Sequence, residues 1–201
     1  MDISSTSYFL GTNILRGEIN SIRFSDSLNN HTSSEKNVWD VSSNKDGSIL
    51  LWIDDYSNNL YDIVIGQNGG VKAGLDISYM FAYLNNLTSI NFDNFDTSNV
   101  VDISSAFYGC DKLTDIDFSK IINENIINIS LIIDGCNNLS NNSLNQLIGI
   151  SSTLEKILSN KTMKGLGFSI IQAENSTCLS NYDKFIKSGW QIGYDDINGK
   201  C

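Results

Sequence analysis

Between Met80 and Leu147 the apolar positions return at a fixed step. Phe81, Phe107 and Ile133 lie 26 residues apart, as do Leu84, Cys110 and Cys136, and then Leu87, Leu113 and Leu139. Ile90 pairs with Ile116 in the same way, Phe92 with Phe118 and Leu144, Phe95 with Ile121 and Leu147, Val100 with Ile126, and Ile103 with Ile129. Asn, Asp, Ser, Thr and Lys vary freely between them. A unit this short buries its apolar face only against a stacked neighbour. Within the unit, Leu87-x-x-Ile90-x-Phe92-x-x-Phe95 predicts a short strand that turns alternate side chains inward. Val100-x-x-Ile103-x-x-x-Phe107 has i, i+3, i+7 spacing and predicts one or two helical turns. Asp96-Thr97-Ser98-Asn99 supplies turn and N-cap chemistry between them.

The flanks read differently. Ile19–Phe24, Asn37–Val41, Ser48–Ile53 and Leu60–Ile65 predict strands, with Asp-Gly in 44–47 and Asn-Gly in 67–70 as hairpin signals. After the repeats the period becomes helical. Ser143-x-x-Gln146, Ser152-x-x-Glu155 and Ser169-x-x-Gln172 match capping boxes, and Ser180-x-x-Asp183 is a looser version. Leu144, Leu147 and Ile148 share one helical face, and Leu154, Ile157 and Leu158 another, with a break at Gly165 and Gly167. The expected organisation is a β-rich N-terminal capping domain over 1–77, two full repeats and a partial one over 78–147, and a helical C-terminal cap over 148–201.

Charge narrows the partners. Lys plus Arg total 13 against 23 Asp plus Glu in 201 residues, a net charge of −10, so neither nucleic acid nor an anionic membrane surface is an expected partner. No apolar run approaches the ~20 residues of a membrane span, and the N-terminus does not read as a secretory signal. The absence of proline, with abundant Asn and Ile, fits an AT-rich coding genome.

Few residues offer catalytic chemistry. His31 is the one histidine, in a polar loop without nucleophile context, and reads as a solvated loop residue. Cys110, Cys136, Cys178 and Cys201 form no CxxC pair. Cys110 and Cys136 fall in one apolar column and read as buried free thiols, though adjacent stacking also places them within reach of a disulfide. Cys178 and Cys201 are left as a pairing the sequence does not decide. Asp54-Asp55 and Asp195-Asp196 are adjacent pairs whose side chains diverge on a strand, and most such pairs are solvated turns. Gly66–Gly70 lacks the Lys-Ser/Thr of a phosphate loop. The sequons at Asn86, Asn128 and Asn138 are what an Asn- and Ser-rich repeat produces by default. No catalytic residue, metal site or cofactor is expected.

The positions between the inward strand residues form the one constellation of interest. Ser89, Asn91 and Asp93, then Asp115, Asp117 and Ser119, then Ser143 and Asn145 are expected on one outward, acidic and amide-rich face. Of these, Asn91, Asp93, Asp115, Asp117 and Ser119 are the candidate ligand-binding residues. Such a face suits a glycan, a basic protein patch or Ca²⁺; equally, strand surfaces are polar simply to stay soluble.

The L-x-x-L-x-L element and the run MFAYLNNLTSINFDNFDTSNVVDISSAFYGCDKLTDIDFS (Met80–Ser119) resemble the BspA-type leucine-rich repeat of bacterial surface proteins and mycoplasma lipoproteins, above all at F-D-T-S-N-V (Phe95–Val100) and F-Y-G-C (Phe107–Cys110). WDVSSNKDGSILLWID (Trp39–Asp54), LYDIVIGQNGGVKA (Leu60–Ala73) and LSNYDKFIKSGWQIGY (Leu179–Tyr194) are similar to the flanks of gut-bacterial and prophage-encoded members. The expected fold is an α/β repeat: a short leucine-rich-repeat solenoid of parallel strands, with the two caps above. The resemblance implies a non-catalytic recognition or attachment module that binds a protein or glycan at the cell surface or outside it. The alternative is a structural or host-attachment component of a bacteriophage or phage-tail-like particle, in the virion or cytoplasm, as a homo-oligomer or among particle neighbours.

Overall fold

The structure is a computed structural model and describes residues 3–154, 157 and 161–191. Glu155, Leu158, Asp195, Asp196, Cys201 and the end of Leu179–Tyr194 lie outside the described residues. Four N-terminal segments form strands: Ile19–Ser25 (β1), Val38–Asp40 (β2), Leu50–Ser57 (β3) and Leu60–Gly66 (β4). Val71–Lys72 (β5), Ser89–Asn91 (β6) and Phe95–Asp96 (β7) follow. The five-stranded sheet has the order β2-β3-β4-β1-β6, with β2, β3 and β4 antiparallel and β1 parallel to both β4 and β6. A second, parallel sheet joins β5 to β7. Leu51, Ile63 and Ile65 face the main core, while Leu50, Trp52 and Val64 pack with Val38 on the other side. The β3–β4 hairpin turns through Asn58 and Asn59, at φ 53° and 62°, the paired positive values of a tight primed turn. Short helices come last: Asn141–Ser151 (α1), Met163–Leu166 (α2), Ile170–Ser176 (α3) and Tyr182–Lys187 (α4). Among the described residues, no helix is long and apolar enough to cross a membrane.

This is a mixed sheet with a two-stranded companion, and the expected parallel-strand solenoid between caps is not what forms. One three-residue strand of the repeat, β6, enters the main sheet, and it pairs with β1 of the N-terminal region. The matching residues of the next unit, Asp115–Asp117, make no strand, and side chains of α1 take the amides of Ile116 and Phe118. Ile116 N donates to Ser143 Oγ at 2.9 Å and Phe118 N to Gln146 Oε1 at 2.7 Å. The third strand position is helical, started by Ser140, whose Oγ accepts from Ser143 N. Ser140, not Ser143, is therefore the cap. Ser152 ends α1, and Asn181 rather than Ser180 precedes α4 without a side-chain cap. The box at Ser169 and Gln172 does form. Residues 97–110 are turns rather than helix, and Gln67–Gly70 leads into β5 instead of closing a hairpin.

The 26-residue step nevertheless recurs in backbone bonding between turns. Phe81 N donates to Ala106 O and Phe107 N to Ile132 O, both at 3.0 Å. Tyr79 N and Ser105 N donate to Ser104 O and Ser130 O, and Tyr83 N and Gly109 N to Tyr108 O and Asp134 O. The same step appears in the dihedrals: Tyr79, Ser105 and Leu131 sit at φ 56°, 54° and 55°, and Tyr83, Gly109 and Gly135 at 58°, 74° and 80°. Each turn thus offers its amides to the carbonyls of the next. At the far end Leu131 N and Ile133 N reach Gly165 O and Leu166 O. At the near end the buried Arg16 guanidinium donates to Met80 O at 3.0 Å and Ala82 O at 2.8 Å. A ring column ties this stack to the sheet. Phe24 of β1 stacks on Phe95 at 4.2 Å and meets Phe81 edge-on, Phe81 stacks on Phe107 at 5.4 Å, and Phe107 meets Phe118 edge-on.

Candidate functional site

Asn91, Asp93, Asp115, Asp117 and Ser119 are all exposed. Asn91 ends β6, and its Oδ1 accepts from Asp93 N at 2.7 Å, which fixes the chain as it leaves the sheet. Asp93 pairs with Lys120 Nζ at 3.1 Å. Asp117 Oδ1 accepts from Ser119 Oγ at 2.6 Å and from Gln146 Nε2 at 2.8 Å. Asp115 Oδ1 accepts from Ser140 Oγ at 2.6 Å. Ser89 opens β6 opposite Ser21. Ser143 and Asn145 do not join the face, because their segment is helical. Ser143 is 1% exposed, and Asn145 Oδ1 accepts from Asn181 N at 2.9 Å.

Hydrogen bonding decides the charge state here. The Lys120 ammonium, above all, holds the Asp93 carboxyl below its ordinary value. Ser119 does the same for Asp117, against a burial effect of opposite sign and with help from Gln146. Asp96 is held down by its bond from the Ser98 amide. An open depression of about 490 Å³ lies beside this row, lined by Gly69, Gly70, Asp93, Asn94, Asp96 and Lys120 over Phe92 and Phe95. Gly70 and Asn94 both have positive φ, and a Cβ on Gly70 would come within 3.4 Å of Asn94 O. The Gly66–Gly70 stretch therefore contributes backbone to the rim of this depression. Two lysines are set against its carboxylates, Lys120 on Asp93 and, more loosely, Lys72 at 3.9 Å from Asp96. The arrangement presents ionised oxygens in fixed positions, suited to hydrogen-bond donors and cations.

His31 Nδ1 lies 2.8 Å from Glu35 Oε2, and its ring sits 4.8 Å from that of Trp52. Asp54 pairs with Arg23 at 3.0 Å across the sheet surface. The sequon asparagines bridge segments, with Asn86, Asn128 and Asn138 amides donating to Gly17 O, Asp102 Oδ2 and Asp111 O. Among the described residues, no group of three or more His, Cys, Asp or Glu is set to hold a metal ion. Cys178 is disulfide-bonded. Cys110 and Cys136 are free and buried, and their thiols donate to Phe81 O and Phe107 O, each at 3.0 Å. The adjacent Cys110 thiol, together with burial, pushes the Cys136 thiol well up. Thiolate is the reactive form, so Cys136 is expected to resist iodoacetamide at pH 8 in the native protein and to react in urea, as read by mass spectrometry.

Two features had no signal in the periodicity. Lys120 occupies a variable polar position, yet it is the counter-ion of Asp93. Arg16 lies outside the repeat, and its role is visible only once the turn carbonyls are in place. The chain matches no protein-family model, no curated protein and no solved structure.

Proposed function

We propose that this chain is a non-catalytic recognition module that engages a donor-rich protein or glycan surface through Asn91, Asp93, Asp115, Asp117 and Ser119. The observation that carries the reading is the row of exposed carboxylates, each held in place by a neighbouring donor, beside an open depression. Bonds already made within the chain orient these oxygens, so little side-chain freedom is lost on binding. Each carboxylate keeps unused acceptor capacity, since an ionised carboxylate offers about four lone-pair sites. The resemblance of Met80–Ser119 to BspA-type surface repeats points the same way.

The test is a panel of immobilised basic peptides and neutral glycans, probed with the native chain and with Asp93→Asn/Asp117→Asn. A peptide ligand is expected to bind the native chain in a salt-sensitive manner and to lose about tenfold or more with the double variant, two charge-assisted contacts being weakened. The sign of the pH dependence follows from carboxyls that titrate below their ordinary value. Binding is expected to hold from pH 7 down to about 4.5 and to fall as pH drops through the depressed values, below about 3.9. Binding that is unchanged in the double variant would place recognition elsewhere on the chain.

A further inference from the structure

Away from this face, the stacked turns bring three tyrosines and a carboxylate to one corner. Tyr83 and Tyr108 have ring centroids 5.2 Å apart and planes inclined by 58°, so the rings form an open angle rather than a closed stack. The corner is built by backbone: Tyr83 N donates to Tyr108 O at 2.6 Å, and Gly109 leaves room for the Tyr83 ring, since a Cβ there would approach it to 3.3 Å. Tyr79, in the same turn as Tyr83, is 43% exposed, and Tyr83, Tyr108 and Asp134 are half-buried. Asp134 follows in the column of Tyr108 and gives its backbone carbonyl to Gly109 N.

The influences on the Tyr108 hydroxyl share one direction. Asp134 first, then Tyr83, with burial and Tyr79 adding, raise the Tyr108 hydroxyl above its ordinary value. Asp134 forms no ion pair among the described residues. The nearby Arg16 is engaged with the carbonyls of Tyr79, Met80 and Ala82. Electron-rich ring faces set at an angle beside an unpaired carboxylate favour a cation, and a weakly hydrated alkylammonium most of all.

We propose that Tyr79, Tyr83, Tyr108 and Asp134 form a binding site for an alkylammonium group, quaternary in preference to primary. The rings supply cation–π contact and Asp134 the counter-charge. A handful of such contacts at a partly exposed site corresponds to affinity in the millimolar range.

The test is an NMR titration of the full chain with choline and, separately, with 3,3-dimethylbutan-1-ol, its neutral isostere. Choline is expected to shift the ring signals of Tyr83 and Tyr108 saturably and to move its own methyl protons upfield, whereas the alcohol does neither. Asp134→Asn and Tyr108→Leu are each expected to weaken choline binding about fivefold or more. Equal titration by the alcohol, no saturable shift at roughly 100 mM choline, or unchanged affinity in Asp134→Asn would each overturn the proposal. Should Tyr108→Leu not fold, the comparison of the two ligands and the Asp134→Asn variant still decide it.

Discussion

Replacing Arg16 by methionine is expected to destabilise the protein by about 3 kcal/mol, far more than a typical surface substitution. Arg16 is 7% exposed and forms no ion pair among the described residues, and its guanidinium sits 5.3 Å from the centre of the Phe9 ring. Its work is directed at carbonyls. Every later turn in the stack has its carbonyls occupied by amides of the turn before, so Ala106 O and Tyr108 O accept from Phe81 N and Tyr83 N. Met80 O and Ala82 O hold the equivalent places in the first turn, where no backbone amide of the described residues reaches them, and Arg16 donates to both. Methionine retains the packing on Phe9 but leaves two carbonyls without their donor, at about 1–3 kcal/mol each. Relief from holding a cation out of water offsets part of that loss. The check is a urea melt: the midpoint should fall with the slope unchanged. A loss below about 1 kcal/mol would mean that water can replace Arg16 at the end of the stack.

The apolar columns and the N-terminal strands were legible in the sequence, but the parallel-strand solenoid expected from them is not what forms. Apolar columns such as Phe81, Phe107 and Ile133 were visible because burial selects side chains, and all three are fully buried. The N-terminal strands were visible through alternation and turn residues. Side-chain period alone does not distinguish a strand ladder from other stacked backbone. Ser143 and Gln146 looked like a capping box, but they bind the backbone of residues 116 and 118 and so replace the strand that the pattern implied. The turn stack was hidden for a related reason. Its positive-φ positions are occupied by Tyr79, Ser105, Leu131 and Tyr83 as well as by glycine, and such residues carry no left-handed signature. Of the candidate site, the exposed residues were legible from alternation. Their partners Lys120, Ser140 and Gln146 come from neighbouring segments and were not.

Gly135→Ala carries the second large effect, also about 3 kcal/mol of lost stability. Gly135 sits at φ 80°, a conformation that costs a residue with a Cβ about 1–2 kcal/mol. The added Cβ would stand 3.0 Å from Gly109 Cα and 3.1 Å from Gly109 N. Those atoms are backbone, and Gly109 N is already bonded to Asp134 O at 2.7 Å, so relief requires the two turns to separate. That strain adds about 1–2 kcal/mol. Gly11→Ala is the matched control. It also has positive φ, at 75°, but no atom of the described residues lies within 4 Å of its Cβ, so it should show the conformational cost alone. Thermal melts of the two variants separate the contributions, and equal losses would mean that the turns are not in close contact at Gly135.

Both the carboxylate row and the tyrosine corner are positioned by the stacking of turns, and native-state hydrogen exchange tests that stacking most directly. The amides of Phe81, Phe107 and Ile133 lie outside every helix and strand, yet they donate to Ala106 O, Ile132 O and Leu166 O. They are expected to exchange as slowly as Ile22 and Val64 in β1 and β4, opening only with global unfolding. Exchange at the rate of an exposed loop, while β1 and β4 stay protected, would contradict the stacked arrangement and with it the placement of both sites.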